Sequence, residues 1–380
     1  MTKVMIVTGT TSGGVGRHVS EIARGCHRRG LGVHVVCASR RGPGSARTLG
    51  ELRAAGIAVD ELDMCRRFDP VSDAAAAMRL RRLIARSAPD LLHLHSAKAG
   101  ALGRAAALGL GPRRPAVLYT PHAYAFLTQA GNLKRLGYWC AERVLARLTD
   151  CIVAVSQSEG RAALRLGGRA PIVIPNGVEA TDVTSERRAA PADCLRIGWL
   201  GRMTWQKHPL AAVNVSAALS DLGIDHRLMM AGEGPELAAV RKLVCMARAE
   251  KRVRLLGHVA DTDAFYAGID VLLITSRGEG LPYAGLDAMA RGVPLAGFDV
   301  AGVRDLVEHG ATGMLAPAGD VDALALFLSQ LARETGLRAR FAAAARERVR
   351  KAFGLGDQVE RLCALYQSHA ASRAAAPTGY

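Results

Sequence analysis

The apolar and polar positions along this chain alternate between two periods. Short apolar runs at 4–8, 33–37, 57–62, 91–95, 116–120, 151–155 and 172–174 read as strands. Between them, residues 15–29, 74–88, 97–110 and 133–148 carry apolar side chains at helical spacing. Apolar strands bounded by amphipathic helices predict a parallel sheet covered on both faces. Residues 179–193 interrupt the pattern: Thr, Ser, Arg and Pro with little periodicity predict an interdomain linker. The alternation then restarts, with strands at 195–200, 227–231, 253–256, 271–274 and 294–296 and helices at 210–222 and 236–248. Residues 321 to about 369 read as almost wholly helical, and 371–380 as a loose tail of Ala, Pro and Gly.

The expected fold is α/β, with two Rossmann-like, doubly wound parallel-sheet domains in tandem. The first spans 1–178, the linker 179–193 and the second domain 194–355, with 356–370 a candidate helix for crossing back to the first. A ligand is expected beyond the carboxyl ends of the strands, in the cleft between the domains.

Composition narrows the class. Of 380 residues, 49% are hydrophobic and 22% charged, a globular balance. No run of about 18 apolar residues is present, and the first strand is too short for a signal peptide, so a cytoplasmic protein is expected. None of the eight cysteines is in a C-x-x-C pair or at finger-like spacing, which reads as buried free thiols in a reducing compartment.

The formal charge of +16 is unevenly spread. Through Val178 there are 26 Lys and Arg against 11 Asp and Glu; from Glu179 onward, 24 against 23. A basic half attracts nucleic acid, anionic lipid or an anionic substrate. Arginine-rich solvated faces would also be basic, but they do not explain the asymmetry. Aromatics at 4% and the lack of a recognisable binding motif argue against nucleic acid. The stretch 79–86, Arg-Leu-Arg-Arg-Leu-Ile-Ala-Arg, mixes basic and apolar residues as an interfacial helix would, and equally as a core helix with a basic outer face.

The candidate chemistry lies in loops after strands. The first strand runs into Thr8-Gly9-Thr10-Thr11-Ser12-Gly13-Gly14-Val15-Gly16 before a helix, which exposes backbone N–H groups to an anion. The spacing is neither G-x-G-x-x-G nor a Walker A loop. In the second half, Gly201-Arg202 ends a strand and Lys207-His208-Pro209 opens a helix; two cations at such a turn suit a pyrophosphate. Further on, Ser276-Arg277-Gly278-Glu279-Gly280-Leu281-Pro282 sets a carboxylate in a Gly-flanked loop, and Asp287 comes eight residues later. His93 and His95 share one strand face, but no third ligand stands at an evident spacing, so no metal is expected. His95 either lines the cleft or is structurally buried.

Together these motifs resemble the retaining GT-B glycosyltransferases of family 4 (glycosyl transferases group 1) over essentially the whole chain. The resemblance implies that Arg202 and Lys207 bind a donor diphosphate, with Gly14 and the backbone of Gly280 and Leu281. It implies that Glu279 faces the donor sugar, that Asp287, at a position where Glu is usual, holds the ribose, and that the Val259 backbone meets the base. The segment Thr120-Pro121-His122 is similar to a strand-end motif that places His122 near the sugar. The segments Leu92–Arg104 and Tyr119–His122 are similar to a subgroup associated with capsule, lipopolysaccharide and exopolysaccharide assembly.

The resemblance further implies a hexosyltransferase-type enzyme moving sugar from a UDP- or GDP-sugar to a glycan or polyprenyl-diphosphate-linked acceptor, with no cofactor or metal. Peripheral attachment to the anionic inner face of the cell membrane fits the basic half. A sugar-nucleotide epimerase of the same fold is one alternative. A non-catalytic nucleotide-sugar-binding subunit is another, kept open by Asp287.

Overall fold

The computed structural model describes residues 1–38, 45–64, 68–111, 114–128, 131–179 and 194–374. The expected linker falls almost entirely outside the described residues, as do Cys65 and the last six residues. The chain divides into two compact units, Met1–Gly177 with Leu355–Tyr380, and Val178–Gly354.

The first unit holds β1 (Lys3–Thr8), α1 (Gly13–Arg28), β2 (Gly32–Ala38), α2 (Ser45–Ala54), β3 (Ala58–Leu62), α3 (Pro70–Ser87) and β4 (Leu91–His95). These are followed by α4 (Ala97–Leu108), β5 (Ala116–Thr120), α5 (Ala125–Thr128), α6 (Asn132–Ala146), β6 (Cys151–Ala154), α7 (Gln157–Leu164) and β7 (Ile172–Val173). The seven strands are ordered β3-β2-β1-β4-β5-β6-β7, all parallel. Alternation along β1 divides the core. Met5 and Val7 join a cluster with Leu80, Ile84 and Leu102; Val4 and Ile6 join one with Ile22, Leu362 and Tyr366.

The second unit holds β8 (Leu195–Leu200), α8 (Pro209–Asp221), β9 (His226–Ala231), α9 (Leu237–Met246), β10 (Val253–Gly257), α10 (Thr262–Ala267) and β11 (Val271–Ile274). Then come α11 (Tyr283–Ala290), β12 (Leu295–Phe298), α12 (Val303–Leu306), β13 (Gly313–Ala316), α13 (Val321–Arg333) and α14 (Thr335–Ala352). Its sheet is ordered β10-β9-β8-β11-β12-β13, the same winding as the first six strands of the other sheet.

The structure bears on four expectations. The helical tract from 321 is three helices, and the last, α15 (Leu355–Ala374), belongs to the first unit. It packs on α1, where Gly25 leaves room for Val359; a Cβ at Gly25 would stand 2.6 Å from a Val359 methyl. This helix continues to Ala374, so the unpatterned 371–374 are not tail. The 79–86 stretch is the core-helix alternative: Leu80 and Ile84 of α3 are buried and its arginines point outward. Finally, Cys26, Cys37, Cys151 and Cys363 are buried thiols, but Cys140 and Cys245 are exposed.

Candidate active site

In the second unit the loops at the carboxyl ends of β8 and β11 are tied together. The Trp199 indole N–H donates to Thr275 Oγ1 at 3.0 Å, and Thr275 Oγ1 donates to the carbonyls of His208 (2.9 Å) and Lys207 (3.2 Å). Gln206 Nε2 donates to the Gly278 carbonyl at 2.9 Å, and the Arg277 N–H to the Gln206 carbonyl at 2.8 Å. Each bond joins residues more than 60 positions apart, so one sheet aligns two loops that the sequence reads separately.

That alignment puts Lys207 on Glu279. The ammonium donates to Glu279 Oε1 at 2.6 Å, and Ser276 Oγ donates to the same oxygen at 2.5 Å. The Glu279 side chain is 8% exposed and Lys207 26%. Such partners offset the cost of burying a carboxylate. Trp199, Leu200 and Ile274 line the small recess beside the pair. The two residues were assigned to different parts of a donor, and the structure brings them into direct contact.

Two glycines fix the loop backbones. Gly232 has φ +130°, and a Cβ there would lie 1.9 Å from the Gly201 carbonyl oxygen, so the β9–α9 turn seats directly under the residue before Arg202. Gly302 has φ +79°, and a Cβ would lie 2.6 Å from the carbonyl oxygens of both Glu279 and Gly280. The Glu279 N–H donates to the Ala301 carbonyl at 2.9 Å.

The other predicted residues of this unit are more dispersed. Arg202 is exposed and, among the described residues, forms no ion pair. Gly280 and Leu281 are buried just ahead of α11, whose first turn has no side-chain cap. Val259 is half-buried in the loop after β10. Asp287 lies on α11 with Oδ1 3.7 Å from Arg291 Nη1, and Arg291 also binds Asp263.

The first unit gathers histidines at the carboxyl ends of β4 and β5. His95 Nδ1 and His122 Nε2 are 3.0 Å apart and share a hydrogen bond. The His18 ring stands edge-on to His122, with centroids 4.5 Å apart. His93 is held at both nitrogens, by the Tyr366 hydroxyl (2.6 Å) and Thr120 Oγ1 (2.9 Å), which makes it a structural histidine. Gln358 Nε2 lies 3.3 Å from His18 Nδ1, so α15 supports this group from two positions. Burial lowers all four ring pKa values, with His18 at about 4 and His93 at about 3; the neighbouring rings lower His93, His95 and His122 further. All four are neutral at pH 7.

Backbone strain surrounds the group. Ser96, His122 and Ala123 have φ of 70°, 55° and 78° without being glycine. Glu159 holds the strained turn, accepting from the Ala123 N–H at 2.6 Å and the Val155 N–H at 2.8 Å. Sequence reasoning passed over Glu159, Ser276 and Tyr366, since nothing local marks a residue whose partner is distant. His18, His95 and His122 each offer a ring nitrogen within 4.8 Å of the others, a spacing a cation could bridge. Gly14 lies exposed in the first turn of α1, where no side chain caps the free N–H groups.

Fold and loops define a two-unit α/β protein with functional groups at the strand ends. Comparison with known proteins gives the class a name. Residues 12–182 match the model of Glycosyltransferase Family 4, and residues 194–334 that of Glycosyl transferases group 1. The chain belongs to this family of glycosyltransferases and is an enzyme of that kind. It is similar to the Escherichia coli UDP-Gal:alpha-D-GlcNAc-diphosphoundecaprenol alpha-1,3-galactosyltransferase, 25% identical over 287 residues, which are 72% of this chain and 73% of the relative. It is also similar to the lipopolysaccharide core biosynthesis glycosyltransferase LpsE of Rhizobium meliloti, 28% identical over 217 residues, 56% of this chain and 63% of that one. Among solved structures, Anabaena HepE in complex with UDP and glucose superposes with a TM-score of 0.80 at 19% identity, over 97% of this chain and 100% of that chain. Sucrose-phosphate synthase from Thermosynechococcus elongatus gives 0.82 at 18% identity, over 98% of this chain and 100% of that one. These two likenesses establish the GT-B fold.

Proposed function

We propose that this enzyme transfers a hexose from a UDP-sugar, with retention at the anomeric carbon, to a lipid-diphosphate-linked glycan of a cell-surface polysaccharide. The observation that carries the reading is the Lys207–Glu279–Ser276 contact at the ends of β8 and β11. The relative acting on a diphosphoundecaprenol substrate supports the acceptor, and the UDP complex of Anabaena HepE supports the base.

In the resting site Glu279 neutralises Lys207. A donor diphosphate competes for that ammonium, so its arrival frees a carboxylate beside the sugar. Arg202, exposed, supplies a second cation. Charge growing on the departing diphosphate is then met by Arg202, Lys207 and the amides ahead of α11, without a metal. Glu279 positions the ring, and the acceptor hydroxyl attacks from the leaving-group face. The neutral His122 ring, oriented by His95, hydrogen-bonds a sugar hydroxyl.

The test is turnover of UDP-sugars by Arg202→Ala, Lys207→Ala and Glu279→Ala, with a thermal shift by UDP and by GDP as the binding readout. Undiminished turnover in all three variants would overturn the assignment. A shift with GDP alone would overturn the base.

A further inference from the structure

Helix α6 is inverted relative to its sequence pattern. Leu133, Leu136, Gly137, Cys140 and Val144 recur at spacings of three and four and fall on one face, which ordinarily marks the side turned to the core. Here that face points to solvent: Leu133 is 84% exposed, Leu136 57% and Val144 59%, and Cys140 is exposed as well. The opposite face carries Glu142, which is buried. Glu142 accepts from buried Arg104 at 3.1 Å and from the Tyr119 hydroxyl at 2.9 Å, while the Arg104 guanidinium lies 4.0 Å over the Tyr119 ring. This polar anchor fixes the rotation of α6 and leaves the apolar stripe outside.

The stripe has basic borders. On a helical projection Lys134 flanks it on one side and Arg143 on the other, with Arg147 at its C-terminal end, all three exposed. The acidic residue of the helix, Glu142, is on the far side. The structural unit that carries α6 holds 28 Lys and Arg against 13 Asp and Glu, while the other holds 22 against 21.

We propose that α6 is an interfacial helix, laying Leu133, Leu136 and Val144 into an anionic lipid bilayer while Lys134, Arg143 and Arg147 meet the headgroups. An apolar stripe between cations matches the profile of such a surface, apolar below and negative above. The inference deepens the lipid-linked acceptor proposed above by naming how the enzyme reaches it. Helix α3 buries Leu80 and Ile84 and exposes Val71 and Met78 without a continuous apolar stripe, so its outer face is mainly charge.

The experiment is vesicle flotation of the full chain, without donor or acceptor, on phosphatidylcholine vesicles with and without phosphatidylglycerol. The wild type is expected to float with the anionic vesicles and to sediment with the neutral ones. Lys134→Gln/Arg143→Gln/Arg147→Gln loses about fivefold in partition per charge. Leu133→Ser/Leu136→Ser/Val144→Ser loses on the order of tenfold or more. Arg79→Gln/Arg82→Gln/Arg86→Gln on α3, which removes the same charge, loses less than either.

Failure of the wild type to float with either vesicle would overturn the proposal. So would equal losses from the α3 and α6 charge variants with normal binding by the serine variant, which would mean diffuse electrostatics. A dimer in lipid-free mass measurements that the serine variant converts to monomer would instead mark the stripe as a self-association face and also overturn it. Near-UV circular dichroism checks folding, and Leu133→Asp alone serves if the triple variant is destabilised. Because the UDP thermal shift reads only the donor site, loss of lipid binding with an intact shift separates this inference from the assignment of function.

Discussion

The two units share a strand order and differ in how they keep polar groups at the strand ends. In the second unit, near neutral in charge, Glu279 is held by the Lys207 ammonium and the Ser276 hydroxyl. In the first unit, which carries the excess positive charge, His18, His93, His95 and His122 stay neutral because they are packed against one another away from water. One device is a charge pair. The other supplies hydrogen-bonding rings that add no charge to an already basic unit. The same winding therefore carries a charge pair in one unit and neutral rings in the other, by the choice of partners at the strand ends.

The sharpest way to break this comparison is acid. A neutral buried histidine binds its proton less readily when folded than when unfolded. Its contribution is therefore complete above pH 6.5 and is lost as pH falls towards the folded value. For His18, carried from 6.5 to about 4, this amounts to about 3 kcal/mol. With four such rings, the urea midpoint of the first unit, followed by Trp139 in variants lacking Trp199 and Trp205, should drop steeply between pH 6.5 and 4. An unchanged midpoint over that range would mean that the folded rings take up protons as readily as the unfolded ones.

Next in size are the charged partners. Lys207→Ala and Arg202→Ala should each lower kcat/KM by about 10²–10³-fold, the usual cost of removing a group that meets developing charge. His122→Ala should lower kcat by on the order of tenfold to 10²-fold, through lost positioning, while leaving the UDP thermal shift unchanged. If His122→Ala abolished UDP binding, the division of labour between the units would be wrong.

Smaller effects sharpen the second unit. Gly302→Ala places a Cβ against two carbonyl oxygens at positive φ and should cost about 1–3 kcal/mol in unfolding experiments, with lower turnover because the Glu279 loop shifts. Asp287→Asn should weaken UDP by less than about fivefold, because its carboxylate already faces Arg291. A larger loss would show that Asp287 leaves Arg291 for the ribose.

Much of this was legible in the chain. The period changes located most strands, since a covered parallel sheet forces continuous apolar runs such as Val271–Ile274. Helices α2 and α7 were missed because their apolar residues are few. The loops containing Arg202, Lys207 and Glu279 stood out because glycine and charge at a strand end are locally costly without a use. The Lys207–Glu279 contact did not, since their separation of 72 positions is closed only by β8 pairing with β11.

The sequence by itself determined the alternation of strands and helices, the family and the loops at which chemistry could occur. These depend on neighbours within a few positions, where periodicity and backbone preference act. Tertiary structure alone decided that α15 joins the first unit, that four histidines share one interior, and that α6 turns its leucines outward. Helical spacing shows that a face is apolar but not which way it points. In α6 the buried Glu142–Arg104 pair set the rotation, because separating those charges would cost more than leaving three apolar side chains in water.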